Sequence, residues 1–143
     1  MKVAVAGIGY VGLSNAVLLA QKHDVVALDV DANRVEMLNA RQCPIIDTEL
    51  EQYLAEKPLT LRATTDPEAA FVGADYIIVA TPTNYDPQTN YFDTSSVEDV
   101  VARVIACNPD ATIVIKSTVP VGYTRDLSER LTTTQVIFSP EFL

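Results

Sequence analysis

The sequence predicts an α/β fold: a doubly wound, mainly parallel six-stranded sheet with helices on both faces. Apolar runs rich in Val and Ile alternate with helix-like runs along all 143 residues. These apolar runs lack strict polar alternation, as expected of parallel strands covered on both faces. The length suits one domain with a sizeable core. Regular alternation of strand and helix indicates crossover connections within a single sheet.

Six strands and six helices are expected in order. The strands are Lys2–Ala6, Asp24–Asp29, Leu59–Thr64, Tyr76–Ala80, Thr112–Lys116 and Gln135–Phe138. The helices are Val11–Lys22, Ala32–Ala40, Thr48–Glu56, Pro67–Val72, Ser95–Ala106 and Tyr123–Leu131. Asp66-Pro67 and Thr94-Ser95 are typical helix starts, and Asn108-Pro109 ends the fifth helix. The expected strand order is 3-2-1-4-5-6, with a ligand crevice at the carboxyl ends of strands one and four.

Composition narrows the expected partners. A net charge of −9 repels nucleic acid and anionic lipid, so neither is expected to bind. No apolar run reaches the roughly 18 residues of a membrane span, and because the sequence enters a strand pattern directly, no signal peptide is expected. Cys43 and Cys107 lie far apart and form no C-x-x-C pair. We therefore expect reduced thiols in a cytoplasmic protein, and no metal site.

The turn Gly7-Ile8-Gly9-Tyr10-Val11-Gly12 joins the first strand to the first helix. Gly7 allows a tight turn, Gly9 lets a phosphate approach the backbone, and Gly12 lets the helix pack closely on its strand. Free N–H groups and the positive end of the helix dipole attract a pyrophosphate. Because the net charge is strongly negative, local N–H groups rather than a basic groove must hold it. The turn predicts a Rossmann-like dinucleotide site.

An acidic residue at the end of the second strand extends this pattern. Asp29 follows Gly12 by 17 residues, near the ~20 expected of a carboxylate that binds both ribose hydroxyls. It repels a 2′-phosphate, as does Asp31, so NAD is favoured over NADP. Arg34 can accept a 2′-phosphate, but beside two carboxylates we expect it to contact the ribose or the pyrophosphate. The alternative is that Asp29 and Asp31 only cap the next helix.

The loop after the fourth strand falls at the same edge of the predicted sheet. Thr81 and Thr83 are placed to reach the nicotinamide ribose or the phosphates, and Pro82 stiffens the loop. The alternative is ordinary turn chemistry at the end of a strand. The following stretch, Asp86–Asp93, is polar and rich in turn residues, so we expect a mobile flap or an oligomer contact there.

Polar residues also follow the fifth and sixth strands. The Lys116 ammonium is expected to reach the strand terminus or a carboxylate, because an unpaired buried charge is costly. Ser117 and Thr118 are placed to hold a water or a substrate hydroxyl, or else to cap the helix entered at Gly122. Glu141 is placed to act as a base or bind sugar hydroxyls, or else it is a solvated terminal residue.

Together these motifs resemble the cofactor domain of the UDP-glucose 6-dehydrogenases, within the UDP-glucose/GDP-mannose dehydrogenase family. The matching stretches are Val5–Leu13, Leu28–Asp31 with Arg34-Val35, Pro44-Ile45, Ala80–Tyr85, Asn90–Thr94, Ile115–Gly122 and Phe138–Leu143. The resemblance covers essentially the whole chain. The loop with Thr83-Asn84-Tyr85 and Asn90–Thr94 is typical of the short bacterial enzymes. Asn90–Thr94 and Ser139–Leu143 together argue against 3-hydroxyacid and 6-phosphogluconate dehydrogenases.

The resemblance implies a chemistry and a set of site residues. The family oxidises UDP-glucose twice at C6, consuming two NAD and giving UDP-glucuronate through a thioester on a cysteine of a second domain. Thr118 and Glu141 are implied as catalytic, the first helping to hold a water and the second assisting thioester hydrolysis. Phe142 and Leu143 begin the segment that lies along the substrate. The implied NAD contacts are Val11, Asp29, Arg34, Thr83 and Thr118, to which the turn adds Gly7, Gly9, Tyr10 and Gly12 and the next loop Thr81 and Pro82.

The chain differs from the family in length. The family's motif runs on past Leu143 into a long central helix and a second domain, which carries the nucleophilic cysteine. Cys43 and Cys107 match no nucleophile position. Residues 1–143 are therefore predicted to be the NAD-binding domain of a longer, cytoplasmic, homodimeric enzyme that takes UDP-glucose. Alone they should bind NAD without turnover.

Two alternatives remain open from the sequence. Sister dehydrogenases that act on UDP-N-acetylmannosamine or GDP-mannose share the fingerprint, and their sugar specificity lies largely in the second half. A non-catalytic NAD-sensing module uses the same glycine turn, but it does not need Thr118 and Glu141 in its crevice.

Overall fold

The structure is a computed structural model that describes residues 1–141. Six strands form one sheet, in the order β3-β2-β1-β4-β7-β8, and every neighbouring pair is parallel. This confirms the predicted doubly wound fold and its strand order. The elements in chain order are β1 (Lys2–Ala6), α1 (Tyr10–Ala20), β2 (Asp24–Leu28), α2 (Ala32–Asn39), α3 (Thr48–Glu56), β3 (Leu61–Thr64), α4 (Pro67–Phe71), β4 (Tyr76–Val79), β5 (Asn84–Asp86), β6 (Tyr91–Asp93), α5 (Ser95–Cys107), β7 (Thr112–Ile115), α6 (Tyr123–Arg130) and β8 (Val136–Phe138).

Both faces of the sheet are buried, which explains why the strands show no polar alternation. On β1, Ala4 and Ala6 belong to one core cluster while Val3 and Val5 belong to the other. Helices α4, α5 and α6 cover the first face, with Phe71 fully buried among them. Helices α1, α2 and α3 cover the second face. The two-sided packing holds the carboxyl ends of all six strands in one rigid edge.

The segment after β4 differs from the prediction. Two strands that the sequence did not predict form an antiparallel hairpin, β5 and β6, which is a separate two-stranded sheet. Asp86–Asp93 lies within this hairpin, and its predicted role as a mobile flap or an oligomer contact stays a prediction. The rings of Tyr85 and Phe92 lie 5.8 Å apart across the hairpin, and Asn90 adopts a φ of 53° in its turn. Strands of three residues are too short to show the alternation from which a strand is recognised.

The helix starts are partly as predicted. Asp66 caps α4 by accepting a hydrogen bond from the Glu68 backbone N–H at 3.0 Å. Thr94 occupies the N-cap position of α5 but makes no capping hydrogen bond, and its hydroxyl lies 3.1 Å from Glu98 Oε1. Asp93 instead accepts from both the backbone N–H and the hydroxyl of Ser95, and these hydrogen bonds lower the pKa of the Asp93 carboxyl.

Candidate functional site

The glycine turn between β1 and α1 can be built only from glycine at two of its positions. Gly7 has a φ of +102°, and a Cβ there would lie 2.5 Å from the carbonyl oxygen of Ala80. A Cβ on Gly12 would lie 1.7 Å from the carbonyl oxygen of Gly7. Because Gly7 has no side chain, the turn packs directly against the end of β4. Because Gly12 has none, α1 packs directly against the turn. The predicted roles of Gly7 and Gly12 are those seen in the structure.

Gly9 is different, because a Cβ at this position would meet no atom within 4 Å. No side chain caps α1, and its first turn contains no acidic residue. Within residues 1–141, the backbone N–H groups of Gly9, Tyr10 and Val11 have no hydrogen-bond acceptor. These donors surround open space at the positive end of a helix dipole. The residues present therefore fit the pyrophosphate of a dinucleotide.

Asp29 lies directly after β2 and binds the turn. Its Oδ2 accepts a hydrogen bond from the Ile8 backbone N–H at 2.8 Å, and its Oδ1 accepts from the Asp31 backbone N–H at 2.9 Å. Each carboxylate oxygen keeps a further acceptor site, which suits a pair of ribose hydroxyls. Asp29 does not cap α2. Asp31 does, by accepting from the backbone N–H of Asn33 at 2.9 Å, so the capping alternative applies to Asp31 alone.

Arg34 lies over the same turn. Its Nη1 donates to the carbonyl oxygen of Ile8 at 2.8 Å, and its Nε lies 3.7 Å from Asp31 Oδ2. Ile8 therefore has its N–H bound by Asp29 and its carbonyl bound by Arg34. This arrangement places one fixed cation beside the open N–H groups of the turn, despite the negative net charge of the chain. The predicted contact of Arg34 with ribose or pyrophosphate stays a prediction.

The loops after β4 and β7 are joined by hydroxyl groups. Thr83 Oγ1 donates to the carbonyl oxygen of Thr118 at 2.6 Å, which leaves the Thr83 oxygen able to accept a further hydrogen bond. Ser96, at the start of α5, lies 3.0 Å from Thr81 Oγ1 and donates to the carbonyl oxygen of Pro82 at 2.7 Å. The structure thus brings Thr81, Pro82, Thr83 and Thr118 together. Sequence reasoning missed Ser96, which looked like an ordinary residue in the first turn of a helix.

Ser117 does not have the role that was expected. It is buried, and its hydroxyl donates to the carbonyl oxygen of Thr81 at 2.7 Å. This hydrogen bond ties the ends of β4 and β7, so the hydroxyl does not face the crevice to hold a water. Neither Ser117 nor Thr118 caps α6, because the N-cap is Gly122 and no side chain caps the helix. Thr118 is exposed, and its predicted contact with a water, the substrate or NAD stays a prediction.

Glu141 is held by two other elements. Its Oε2 accepts a hydrogen bond from Asn15 Nδ2, on α1, at 2.9 Å and lies 3.6 Å from Lys116 Nζ, just after β7. Lys116 Nζ also donates to the carbonyl oxygen of Ser139 at 3.3 Å, just after β8. The ammonium therefore reaches both a strand terminus and a carboxylate, the two partners expected from the sequence. The Glu141 side chain is 31% exposed, so it is not a solvated terminal residue. Asn15 was not predicted, since nothing in the helical pattern distinguishes it.

The remaining predicted residues fall into two groups. Phe142 and Leu143 lie outside the described residues, so their expected contacts with substrate stay predictions. Cys43 and Cys107 are half-buried free thiols, and burial raises the pKa of Cys43, which disfavours the reactive thiolate.

Within residues 1–141, no cluster of three His, Cys, Asp or Glu side chains is arranged to hold a metal ion. Over the same residues, no helix is both long enough and apolar enough to cross a bilayer.

Known proteins are similar to this chain over its whole length. The family described as "UDP-glucose/GDP-mannose dehydrogenase family, NAD binding domain" matches residues 1–143. The chain is 53% identical over 143 residues to a UDP-glucose 6-dehydrogenase of Streptococcus pneumoniae, covering 100% of this chain and 36% of the relative.

Two solved structures are similar in fold. A UDP-glucose dehydrogenase from Pyrobaculum islandicum gives a TM-score of 0.84 at 30% identity, covering 99% of this chain and 36% of that one. A UDP-D-ManNAc dehydrogenase from Pyrococcus horikoshii gives 0.88 at 26% identity, covering 100% of this chain and 37% of that one. The chain thus spans little more than a third of the length of each relative.

Proposed function

The chain belongs to the UDP-glucose/GDP-mannose dehydrogenase family, whose NAD-binding domain it forms, and from this premise we propose that the whole protein is a UDP-glucose 6-dehydrogenase. It would oxidise UDP-glucose to UDP-glucuronate with two NAD. One arrangement carries the proposal: Asp29 is bonded to the glycine turn beside open N–H groups, while Glu141 lies at the same edge of the sheet. An NAD-sensing module is not favoured, because the match to the dehydrogenase family runs over the whole chain.

The chain's own residues would divide the work of binding NAD. The N–H groups of Gly9, Tyr10 and Val11 would hold the pyrophosphate, with Arg34 as the neighbouring cation. Asp29 would accept hydrogen bonds from the ribose hydroxyls and, with Asp31, would repel a 2′-phosphate. Gly7 and Gly12 would act indirectly, by allowing the turn and the helix to pack.

The nicotinamide end would lie against the loops after β4 and β7. Thr81, Pro82, Thr83 and Thr118 converge there, and their fixed hydroxyl and carbonyl groups would orient the ring. When bound, NAD supplies the acceptor for the hydride that leaves C6 of the sugar. The residues of this chain would contribute orientation and exclusion of water rather than the redox chemistry itself.

Thr118 and Glu141 would act on the substrate side of the crevice. We assign Thr118 the holding of a water and Glu141 the acceptance of a proton from it. Phe142 and Leu143 would continue along the substrate. Residues 1–143 would form one Rossmann-like domain, and the nucleophilic cysteine, the central helix and the substrate domain would lie in the rest of the protein. Neither thiol of this chain would serve as the nucleophile.

The location, the oligomeric state and the partners of the whole protein are further parts of the proposal. The whole protein would be a cytoplasmic homodimer with a nucleotide sugar as its partner. A net charge of −9 on this domain disfavours nucleic acid and anionic membranes as further partners. UDP-N-acetylmannosamine is a second candidate substrate, because a structure named for that activity has the same fold over all of this chain. The sugar specificity would be decided by the second domain.

The test uses calorimetry and absorbance. The 143-residue chain, titrated with NAD and with NADP, is expected to bind NAD and to prefer it. The full-length protein, given NAD with UDP-glucose, UDP-N-acetylmannosamine or GDP-mannose in turn, should produce NADH fastest with UDP-glucose. The chain alone should produce none. Formation of UDP-glucuronate by the chain alone would show that no cysteine outside it is required, and a faster rate of NADH production with another sugar would reassign the substrate.

A further inference from the structure

The Glu141 carboxylate is held on one oxygen only. Asn15 Nδ2 lies 2.9 Å from Oε2, and Lys116 Nζ lies 3.6 Å from the same oxygen. Among residues 1–141, Oε1 has no hydrogen-bond partner. A carboxylate fixed through one oxygen keeps the acceptor sites of its other oxygen. Oε1 is therefore the oxygen available to a substrate hydroxyl or a water.

The orientation of the Asn15 amide is determined by its neighbours. Its Nδ2 donates to the carbonyl oxygen of Val11 at 2.8 Å as well as to Glu141. Both neighbours are acceptors that cannot donate, so the NH₂ group must face them. The two hydrogens of this one group thus connect the first turn of α1 to the carboxylate. The donation to a carboxylate is charge-assisted, so it is the stronger of the two.

This connection crosses the crevice. The Ser139 backbone N–H donates to the carbonyl oxygen of Ile115 at 3.0 Å, so the chain leaves β8 alongside β7. By Glu141 it has reached α1, which follows β1. In the sheet order, β4 lies between β1 and β7. Residues 139–141 therefore pass over the end of β4, where the glycine turn also packs.

We propose that Asn15 is a positioning residue that orients Glu141, so that the helix binding the pyrophosphate and the carboxylate facing the substrate are held as one unit. Lys116 supports the same carboxylate oxygen from β7. This assignment rests on the proposed function, in which Glu141 acts on the substrate. Asn15 itself makes no hydrogen bond to Oε1, and in the glycine turn it contacts the carbonyl oxygen of Val11 rather than the open N–H groups.

The helix offers a matched pair of variants. Ser14 and Asn15 are neighbours on α1, and each donates to the carbonyl four residues earlier, Ser14 to Tyr10 at 2.6 Å. Only Asn15 also contacts Glu141. Asn15→Leu removes both of its hydrogen bonds at a similar side-chain size, and because Leu has a higher helix propensity than Asn, α1 should not be weakened by the backbone preference. Ser14→Ala removes only the bond within the helix, so it serves as the control for any general effect on α1.

Steady-state kinetics of the full-length protein give the first readout. Asn15→Leu is expected to lower kcat about 10-fold, the loss expected for one charge-assisted hydrogen bond, with KM for NAD and for UDP-glucose changed less than about twofold. Ser14→Ala should match wild type. Equal kcat for Asn15→Leu and Ser14→Ala would overturn the positioning role, as would a loss confined to KM. An inactive wild type would instead overturn the proposed function.

A spectroscopic readout does not depend on activity. In ¹H–¹⁵N spectra of the 143-residue chain, Glu141→Ala should move the side-chain amide signals of Asn15 and speed their exchange with water. The side-chain amide of Asn108 donates to the carbonyl oxygens of Phe71 and Ala74, each at 2.8 Å, and serves as the internal control. Asn15 signals that stay in place when Glu141 is removed would contradict the contact, whatever the kinetics show.

Discussion

The carboxylate of Asp29 accepts a hydrogen bond from the backbone N–H of Ile8 at 2.8 Å, so the end of β2 is fastened to the middle of the glycine turn. A residue expected from the sequence to bind ribose, or else to cap α2, therefore also shapes the turn proposed to bind pyrophosphate. Arg34 holds the carbonyl of the same residue at 2.8 Å. The two predicted parts of the dinucleotide site are one hydrogen-bonded structure.

Asp29→Asn is expected to weaken NAD binding about 10-fold or more and to narrow the preference over NADP. The amide keeps one acceptor oxygen for the Ile8 N–H, so the turn should survive, but it loses the charge that strengthens bonds to ribose and repels a 2′-phosphate. Calorimetric titration with both dinucleotides measures this. Asp66→Asn is the control, because it removes the same charge from a cap where Asn serves equally well. Unchanged selectivity in Asp29→Asn would count against Asp29 as the ribose ligand.

Gly9→Val is expected to reduce NAD binding by about two orders of magnitude with the fold retained. The added side chain would fill the space above the open N–H groups, and the pyrophosphate would lose several charge-assisted hydrogen bonds. Loss of a favourable N-cap residue should cost only about 1 kcal/mol of stability. Fluorescence or calorimetric titration and thermal unfolding measure the two effects.

Gly12→Ala, in the same turn, is expected to reduce stability, whereas Gly9→Val is expected to reduce NAD binding. Its Cβ would overlap the Gly7 carbonyl oxygen at 1.7 Å, so we expect a loss of about 3 kcal/mol or more in the free energy of unfolding. Normal NAD binding by Gly9→Val would remove the basis for placing the pyrophosphate at this turn. Normal stability of Gly12→Ala would contradict the close packing of α1.

Thr83→Val is expected to weaken NAD binding about three- to tenfold, because it removes both the bond to the Thr118 carbonyl at 2.6 Å and the hydroxyl acceptor proposed to face the nicotinamide end of NAD. Thr83→Ser keeps the hydroxyl and should bind nearly as wild type. Thr60→Val, on an exposed residue before β3, should have no effect. If Thr83→Ser is as weak as Thr83→Val, the methyl group rather than the hydroxyl is what matters.

Tyr123 is expected to make stability fall at high pH. Burial, with the nearby Glu98 charge, raises the pKa of this phenol above its ordinary value of 10.0. The folded state then keeps a proton that the unfolded state releases, so this stability is complete below about pH 10 and is lost as pH rises through the folded pKa. Urea unfolding between about pH 8 and pH 11 should show a steeper decline for wild type than for Tyr123→Phe.

Tyr123→Phe should also cost about 1 kcal/mol at neutral pH, because the hydroxyl lies 3.4 Å from Glu98 Oε1. Tyr76→Phe is the control, since Tyr76 is 42% exposed. Parallel pH profiles for wild type and Tyr123→Phe would mean that the buried phenol does not contribute to the decline.

The sheet, its strand order and the glycine turn were predictable because each depends on local signals. Apolar runs, turn residues and the spacing of Asp29 lie within short windows of sequence. The β5–β6 hairpin was not predictable, because its strands are three residues long and are stabilised by one another. Ser96 and Asn15 were not predictable either. Each acts through partners that are remote in the chain, and Asn15 lies 126 residues from Glu141.

By itself, the sequence determined the fold and the class of ligand, because burial periodicity and the backbone freedom of glycine are properties of single segments. Only the tertiary structure decided which polar groups are free to act. The Ser117 hydroxyl is bound by the carbonyl of Thr81, the Asp29 carboxylate holds the Ile8 N–H of the glycine turn, and within residues 1–141 Glu141 is held through one oxygen only. The physical reason is that a hydrogen bond is satisfied by whatever lies within about 3 Å in space. At the edge of this sheet those neighbours come from strands and helices far apart in sequence.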